Sequence, residues 1–214
     1  MKKGCILCLL ISVISLPLIA QNIIYSNLKE LLTQHGDTTA VLRVEKRSRN
    51  QIVLTGGADY RITAGDDESM CRRLKKRCFA VRDEKGNLYL NCRKLRYKKL
   101  RFGAWYAPAV QLGKNIYFCA MPLGSVIGGN FVEEDDVKLG GNIGDALAAS
   151  SLVTKRVCYE LNGETGKVDF LGKDRMLHLL KNYPELKQAY LKDDSQEAKH
   201  TFKYLLELQN KQKK

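Results

Sequence analysis

Cys78-Phe79-Ala80-Val81-Arg82-Asp83-Glu84-Lys85-Gly86-Asn87-Leu88-Tyr89-Leu90-Asn91-Cys92 is the stretch on which the fold turns. Two short apolar runs, Phe79 to Val81 and Leu88 to Leu90, flank a polar loop, the pattern of a β-hairpin. With Asp83 opposite Asn87 the loop is Glu84-Lys85-Gly86, and Gly86 takes the left-handed position of a three-residue turn. The register then follows: Arg82 faces Leu88, Val81 faces Tyr89, Ala80 faces Leu90, and Cys78 faces Cys92. Opposed residues of an antiparallel pair have Cα atoms about 4.5–5.5 Å apart. Disulfides span about 4.4–6.8 Å, so the register predicts a Cys78–Cys92 bridge. The competing reading makes both cysteines small core residues, sharing a face with Ala80, Leu88 and Leu90.

Working outward, Asn27 to Gln34 reads as a short helix with Leu28, Leu31 and Leu32 on one face. Ala40 to Glu45 and Gln51 to Leu54 read as a second hairpin across Lys46 to Asn50, and Tyr60 to Thr63 as a further strand. Asp66-Asp67-Glu68-Ser69 starts a helical turn through Leu74, since acidic residues favour a helix N-terminus. Ile116 to Ala120 is another strand, and Val157 to Leu161 with Lys167 to Leu171 a third hairpin. The end is helical: Met176, Leu177, Leu180 and Tyr183 recur at helical spacing, and Pro184 opens a helix that faces Leu186, Ala189 and Tyr190 inward. Asp194 or Ser195 caps a last helix whose stripe is Ala198, Phe202, Leu205 and Leu206. Strands first and helices later predict an α+β fold, an antiparallel sheet of hairpins with a C-terminal helical segment.

The N-terminus predicts export. Lys2 and Lys3 precede an apolar run from Ile6 to Ile19, and Leu18-Ile19-Ala20 stands before Gln21. That is the layout of a cleaved signal peptide over residues 1–20. A membrane span needs roughly 18–20 apolar residues, more than this run supplies. The expected mature chain is residues 21–214, one α+β domain, in the periplasm or outer envelope. Its five cysteines, Cys71, Cys78, Cys92, Cys119 and Cys158, then meet an oxidising compartment, where pairing is allowed and an odd count leaves one over.

Catalytic signatures are missing. His35, His178 and His200 sit in no recognised motif, and GxSxG, HExxH and phosphate-binding glycine loops are absent from the sequence. No cofactor motif is present. The cysteines lie too far apart along the chain for a structural zinc site, and Glu133 to Asp136 lacks the alternation of a calcium loop, so no metal site is expected. The odd cysteine count keeps a thiol-dependent or other hydrolytic enzyme as the alternative function. Gly140, Gly144 and Ala148 place small residues on one face of a predicted helix up to Leu152, which reads as close packing on the sheet or as contact with a membrane.

The charge pattern is the functional clue. The chain carries +13 overall. Between Arg72 and Arg101 thirteen basic residues face only Asp83 and Glu84, which accounts for the whole excess of residues 21–214. Two runs enclose the first hairpin: Arg72, Arg73, Lys75, Lys76 and Arg77 before it, and Arg93, Lys94, Arg96, Lys98, Lys99 and Arg101 after it. If the hairpin forms, both lie near its open end. A solvated face is the bland reading of such runs. The sharper one is an anion-binding patch for anionic lipid, lipopolysaccharide, acidic glycans or an envelope protein. Nucleic acid suits the charge but not the compartment.

Several short stretches together resemble a known family: Ile24-Tyr25-Ser26-Asn27-Leu28, Gly57-Ala58-Asp59-Tyr60, Leu88-Tyr89-Leu90-Asn91-Cys92, Tyr117-Phe118, Tyr159-Glu160-Leu161 through Thr165-Gly166-Lys167, and Tyr183-Pro184-Glu185-Leu186. The chain resembles, over most of residues 24–208, a family of exported proteins of unknown function common in Bacteroidetes. The resemblance implies export from a Gram-negative cell and supplies no catalytic residue. The expectation is therefore a non-enzymatic envelope module that binds an anionic partner or serves a structural role.

Overall fold

The computed structural model describes residues 21–39, 41–123, 154–193 and 197–213. The expected signal segment, Ala40, the acidic run Glu133 to Asp136, the small-residue stretch Gly140 to Leu152 and the caps Asp194 and Ser195 lie outside the described residues.

The deciding hairpin forms in the expected register. Strands β5 (Ala80–Arg82) and β6 (Leu88–Asn91) pair Ala80 with Leu90, Val81 with Tyr89 and Arg82 with Leu88. Gly86 has φ +81°, a conformation that costs glycine little. The Asp83 carboxylate ties the loop together, accepting from the Lys85 and Asn87 amides at 3.0 and 2.8 Å.

Around it a ten-stranded sheet assembles, every pairing antiparallel. Its strands are β1 (Asn22–Tyr25), β2 (Asp37–Thr39), β3 (Arg43–Lys46), β4 (Tyr60–Thr63), β5, β6, β9 (Tyr106–Leu112), β10 (Asn115–Ala120), β11 (Val157–Leu161) and β12 (Val168–Phe170). The main order is β12-β11-β10-β9-β6-β5-β1-β2, with β3–β4 joined to β9 through Tyr60 and Tyr106. A separate small hairpin, β7 (Arg96–Tyr97) and β8 (Leu100–Arg101), follows β6. The helices are α1 (Leu28–Leu32), α2 (Arg49–Thr55), α3 (Glu68–Lys76), α4 (Lys173–Leu179), α5 (Pro184–Lys192) and α6 (Ala198–Gln212). The architecture is α+β, as the sequence pattern predicts.

Both faces of the sheet are covered, which is why its central strands are apolar at consecutive positions rather than alternating. Ala107, Ala109, Ile116, Phe118, Tyr159 and Leu161 point to one side, where Phe102 meets Phe118 and Tyr159 edge-on at 5.3 and 4.8 Å. Val110, Leu112, Tyr117, Cys119 and Cys158 point to the other, under Met176 of α4, Leu186 of α5 and Leu205 and Leu208 of α6. On that same side, further along the sheet, Leu74 of α3 packs with Ile24, Ile62, Val81 and Tyr106.

Three local expectations are corrected. Gln51 to Leu54 is helical, not a strand: Ser48 and Gln51 form a reciprocal capping box that starts α2, and β3 pairs with β4 instead. The run buries only Ile52 and leaves Val53 and Leu54 42% and 82% exposed, one inward residue per turn. In the C-terminal helices Ala189 and Leu206 face solvent. Finally, Cys78 and Cys92 lie on opposite sides of the sheet, Cys78 with Ile24 and Leu74, Cys92 with Ala80 and Leu90. The ladder closes at Asn91, whose amide donates to Phe79 O at 2.8 Å. Beyond it Cys92–Lys94 coil into a 3-10 turn capped by the Asn91 side chain, so the register does not extend to the cysteines.

Candidate anion-binding groove

The hairpin's open end is built by side chains that strap α3 to the sheet. Asn91 Nδ2 donates to Leu74 O at 3.1 Å and Cys78 O at 2.9 Å, and the Tyr106 hydroxyl donates to Leu74 O at 2.8 Å. These bonds hold the last turn of α3 beside the Cys92–Lys94 turn. Lys75 from the first basic run and Arg93 from the second consequently line one cavity, with Ile62, Asn91, Ala104, Trp105 and Tyr106. The cavity holds about 30 Å³, room for a water molecule or a single anionic oxygen and far below the roughly 300 Å³ of a metabolite pocket. It is a notch in a surface, not an enclosed site.

Trp105, the chain's one tryptophan, forms its wall. Its φ is +76°, which a bulky residue adopts only where its surroundings enforce it. Two contacts do so: Trp105 O accepts from the Cys92 amide at 2.9 Å, and the neighbouring Ala104 O accepts from the Ala58 amide at 2.9 Å. Gly57 lets that approach happen; a Cβ there would lie 2.4 Å from Ala104 O. The half-buried indole is then flanked by two guanidiniums, with Cζ of Arg47 at 5.0 Å and of Arg61 at 5.9 Å from the ring centroid.

Arg47 is the buried organiser of this corner. Its guanidinium donates to Gly56 O at 2.8 Å, Ala58 O at 2.7 Å and Gln51 O at 2.9 Å, and to the Thr55 hydroxyl. Burial pulls its pKa below the ordinary guanidinium range, Asp59 pulls it back up, and Arg156 adds to the lowering. Asp59 in turn pairs with Arg156, whose Nε lies 2.8 Å from Oδ1. The Tyr60 hydroxyl is pushed up by burial and then by Asp59. Two arginines thus share one carboxylate behind Trp105, and the corner is electropositive.

Of the eleven basic residues expected at the patch, Arg72, Lys75, Lys76, Arg77, Arg93, Lys94, Arg96, Lys98, Lys99 and Arg101 are exposed. Arg73 is half-buried and pairs with Asp37. Only Lys75 and Arg93 line the notch. Lys98 and Lys99 occupy the tip of the β7–β8 hairpin, which packs through Tyr97 on Tyr159 on the sheet's other side. The two runs therefore meet at one point and diverge from it. Trp105, Arg47 and Arg61 were not singled out from the sequence. The lone tryptophan beside Gly103, close to the basic run, was the available signal.

Three of the thiols are held in their neutral form by burial. Burial pushes Cys78 up to about 11 and Cys92 up to about 12, and raises Cys119 well above the thiol range; a nucleophile needs the opposite shift. Among the described residues no cysteine sulfur is hydrogen-bonded to a histidine: His200 faces Asp193 at 2.9 Å and His35 faces Thr33 O at 2.7 Å. Nor do the described residues gather three or more histidines, cysteines or carboxylates as a metal site. Among them no helix is long and apolar enough to cross a membrane.

These features define the class: an α+β protein with a large antiparallel sheet, helices over one end, and a basic, tryptophan-walled notch. Residues 23–212 match the model of DUF6563, a family of unknown function, and the chain belongs to that family. No curated protein and no solved structure matches it.

Proposed function

We propose that this protein is a non-enzymatic binding module of the Gram-negative cell envelope, exported by the predicted signal peptide, that docks on phosphate-bearing envelope lipid through the Trp105 groove. The observation that carries the reading is that Lys75 and Arg93, one from each basic run, line the same notch beside Trp105. A phosphate oxygen seated there meets two cations and the Asn91–Tyr106 floor, while the remaining exposed basic residues lie along the surrounding surface. Each basic residue near an anionic membrane contributes about 1 kcal/mol. The notch admits a single anionic oxygen, which suits the phosphate of a headgroup presented by a surface.

Co-sedimentation of the mature protein with anionic and neutral vesicles across a salt series tests this. Binding should be confined to anionic vesicles and fall with salt. Lys75→Gln combined with Arg93→Gln should weaken it about thirtyfold, two cations at roughly 1 kcal/mol each. Neutralising Lys98, Lys99 and Arg101 on the β7–β8 hairpin should cost less per residue. Absence of binding to anionic vesicles at low salt would sink the lipid reading, and vesicles carrying lipopolysaccharide separate the two phosphate sources.

A further inference from the structure

We infer that Cys119 and Cys158 form a disulfide bond that staples β10 to β11. The two residues are direct partners in the β10–β11 register, which places their Cα atoms in the separation disulfides use. Their side chains leave the sheet on the same side, both in the cluster under the C-terminal helices. Both stand as free thiols in the structure, yet their sulfurs are 2.7 Å apart. Non-bonded heavy atoms come to rest at roughly 3.5–4 Å, and sulfur is larger than carbon, so two thiols cannot settle at this distance. A bonded pair needs only a further closing to about 2.0 Å.

The surroundings favour the bonded form. Cys119 and Cys158 are 6% and 3% exposed, and the polar atom near both is Ala198 O, at 3.7 and 3.4 Å. One carbonyl offers weak hydrogen bonds to two thiols, whereas a disulfide has no donor to satisfy. The bond would close the 38 residues between the two cysteines and fix the strand pair from which that connection leaves. It differs from the pair expected from the hairpin: Cys78 and Cys92 sit on opposite faces, and Cys71, half-buried at the start of α3, accepts from the Ala64 amide at 3.3 Å.

Formation takes two thiols and an external disulfide, either a small molecule or the disulfide form of an oxidoreductase. One cysteine sulfur attacks that disulfide, making a mixed disulfide and releasing one thiol, which takes up the proton the attacking group gave up. The second cysteine then attacks the mixed disulfide at the protein sulfur and releases the second thiol. Two hydrogens and two electrons pass to the external disulfide. Because α6 covers the pair, exchange must come before the helix docks, and the finished bond is then shielded from reductant.

Peptide mapping of wild-type protein decides the matter without a variant that has to fold. The chain is refolded with reduced and oxidised glutathione, denatured with N-ethylmaleimide and no reductant, and digested with trypsin. The expected product is residues 115–138 linked to residues 157–167, separating when reductant is added, with Cys71, Cys78 and Cys92 recovered as maleimide adducts. Maleimide on both Cys119 and Cys158, or a link between the peptides carrying Cys78 and Cys92, overturns the assignment. As an independent check, Cys119→Ala should leave Cys158 open to maleimide in denatured protein. If Cys158 instead stays blocked, it has a different partner and the inference fails.

Discussion

At the scale of single residues, the groove depends on two side-chain facts, the missing Cβ of Gly57 and the full hydrogen bonding of Arg47. Gly57→Ala would drive a methyl into Ala104 O and would also place an alanine at φ +82°. Strain of that kind costs about 1–3 kcal/mol, and the displaced 103–105 segment would carry Trp105 with it. The prediction is a loss of that size in urea unfolding, together with a changed emission maximum; since Trp105 is the single tryptophan, its fluorescence reports this corner alone. Arg47→Met should be worse. It keeps much of the volume but removes the guanidinium donor from buried Ala58 O and half-buried Gly56 O, while Gln51 O retains the Thr55 hydroxyl, at about 1–3 kcal/mol for a buried group left unmade. A loss of more than about 2 kcal/mol in the same experiment is expected, and a near-neutral result would mean that water replaces the guanidinium.

At the scale of elements, the sequence was most readable where the chain pairs with itself nearby. Asp83 and Gly86 set the β5–β6 register through the loop's own chemistry, so no distant information was needed. The difference at Gln51 to Leu54 has a local cause as well: the apolar run after a polar turn suggests a hairpin, while the Ser48–Gln51 capping box starts a helix there. Other misses were long-range. Strand β9 belongs to the centre of the sheet because β6 and β10 both select it, and nothing in Tyr106–Leu112 alone announces those partners. The same holds for the Trp105 notch, whose walls come from α3, β4, the Cys92–Lys94 turn and the 103–106 segment. For the cysteines, spacing favoured the pair separated by a hairpin, whereas pairing across the sheet aligns Cys119 with Cys158. If that bond is present, closing 38 residues should stabilise the fold by about 4 kcal/mol through the unfolded chain. Replacing both cysteines by alanine should therefore lower stability by several kcal/mol and make the residual stability indifferent to reductant. Equal stability of the wild type with and without reductant, after the denatured chain has been fully reduced, would show that the bond carries no such weight.

For the molecule as a whole, covering both faces of the sheet buries acidic groups in their neutral forms, and that has a consequence for alkaline stability. Desolvation lifts Cys78 from 9.0 to about 11, Cys92 from 9.0 to about 12 and Tyr117 from 10.0 to about 12; burial likewise raises Tyr89, Tyr106 and Tyr159. In every case the folded chain keeps a proton that the unfolded chain gives up sooner. The unfolded state therefore binds fewer protons above about pH 9, and stability falls as pH rises. The contribution is whole below the unfolded pKa near 9 and disappears as pH climbs through the folded values near 11 and 12. Cys78 alone accounts for about 3 kcal/mol of that loss, two pK units at 1.36 kcal/mol each. Urea unfolding of wild type and Cys78→Ala at about pH 8 and about pH 10.5 isolates the contribution. The variant should start lower, having lost a buried side chain, yet lose less between the two pH values, so the curves converge. Parallel curves would mean that the Cys78 thiol titrates alike in the folded and unfolded chains, and that the packing of α3 against the sheet does not exclude water from it.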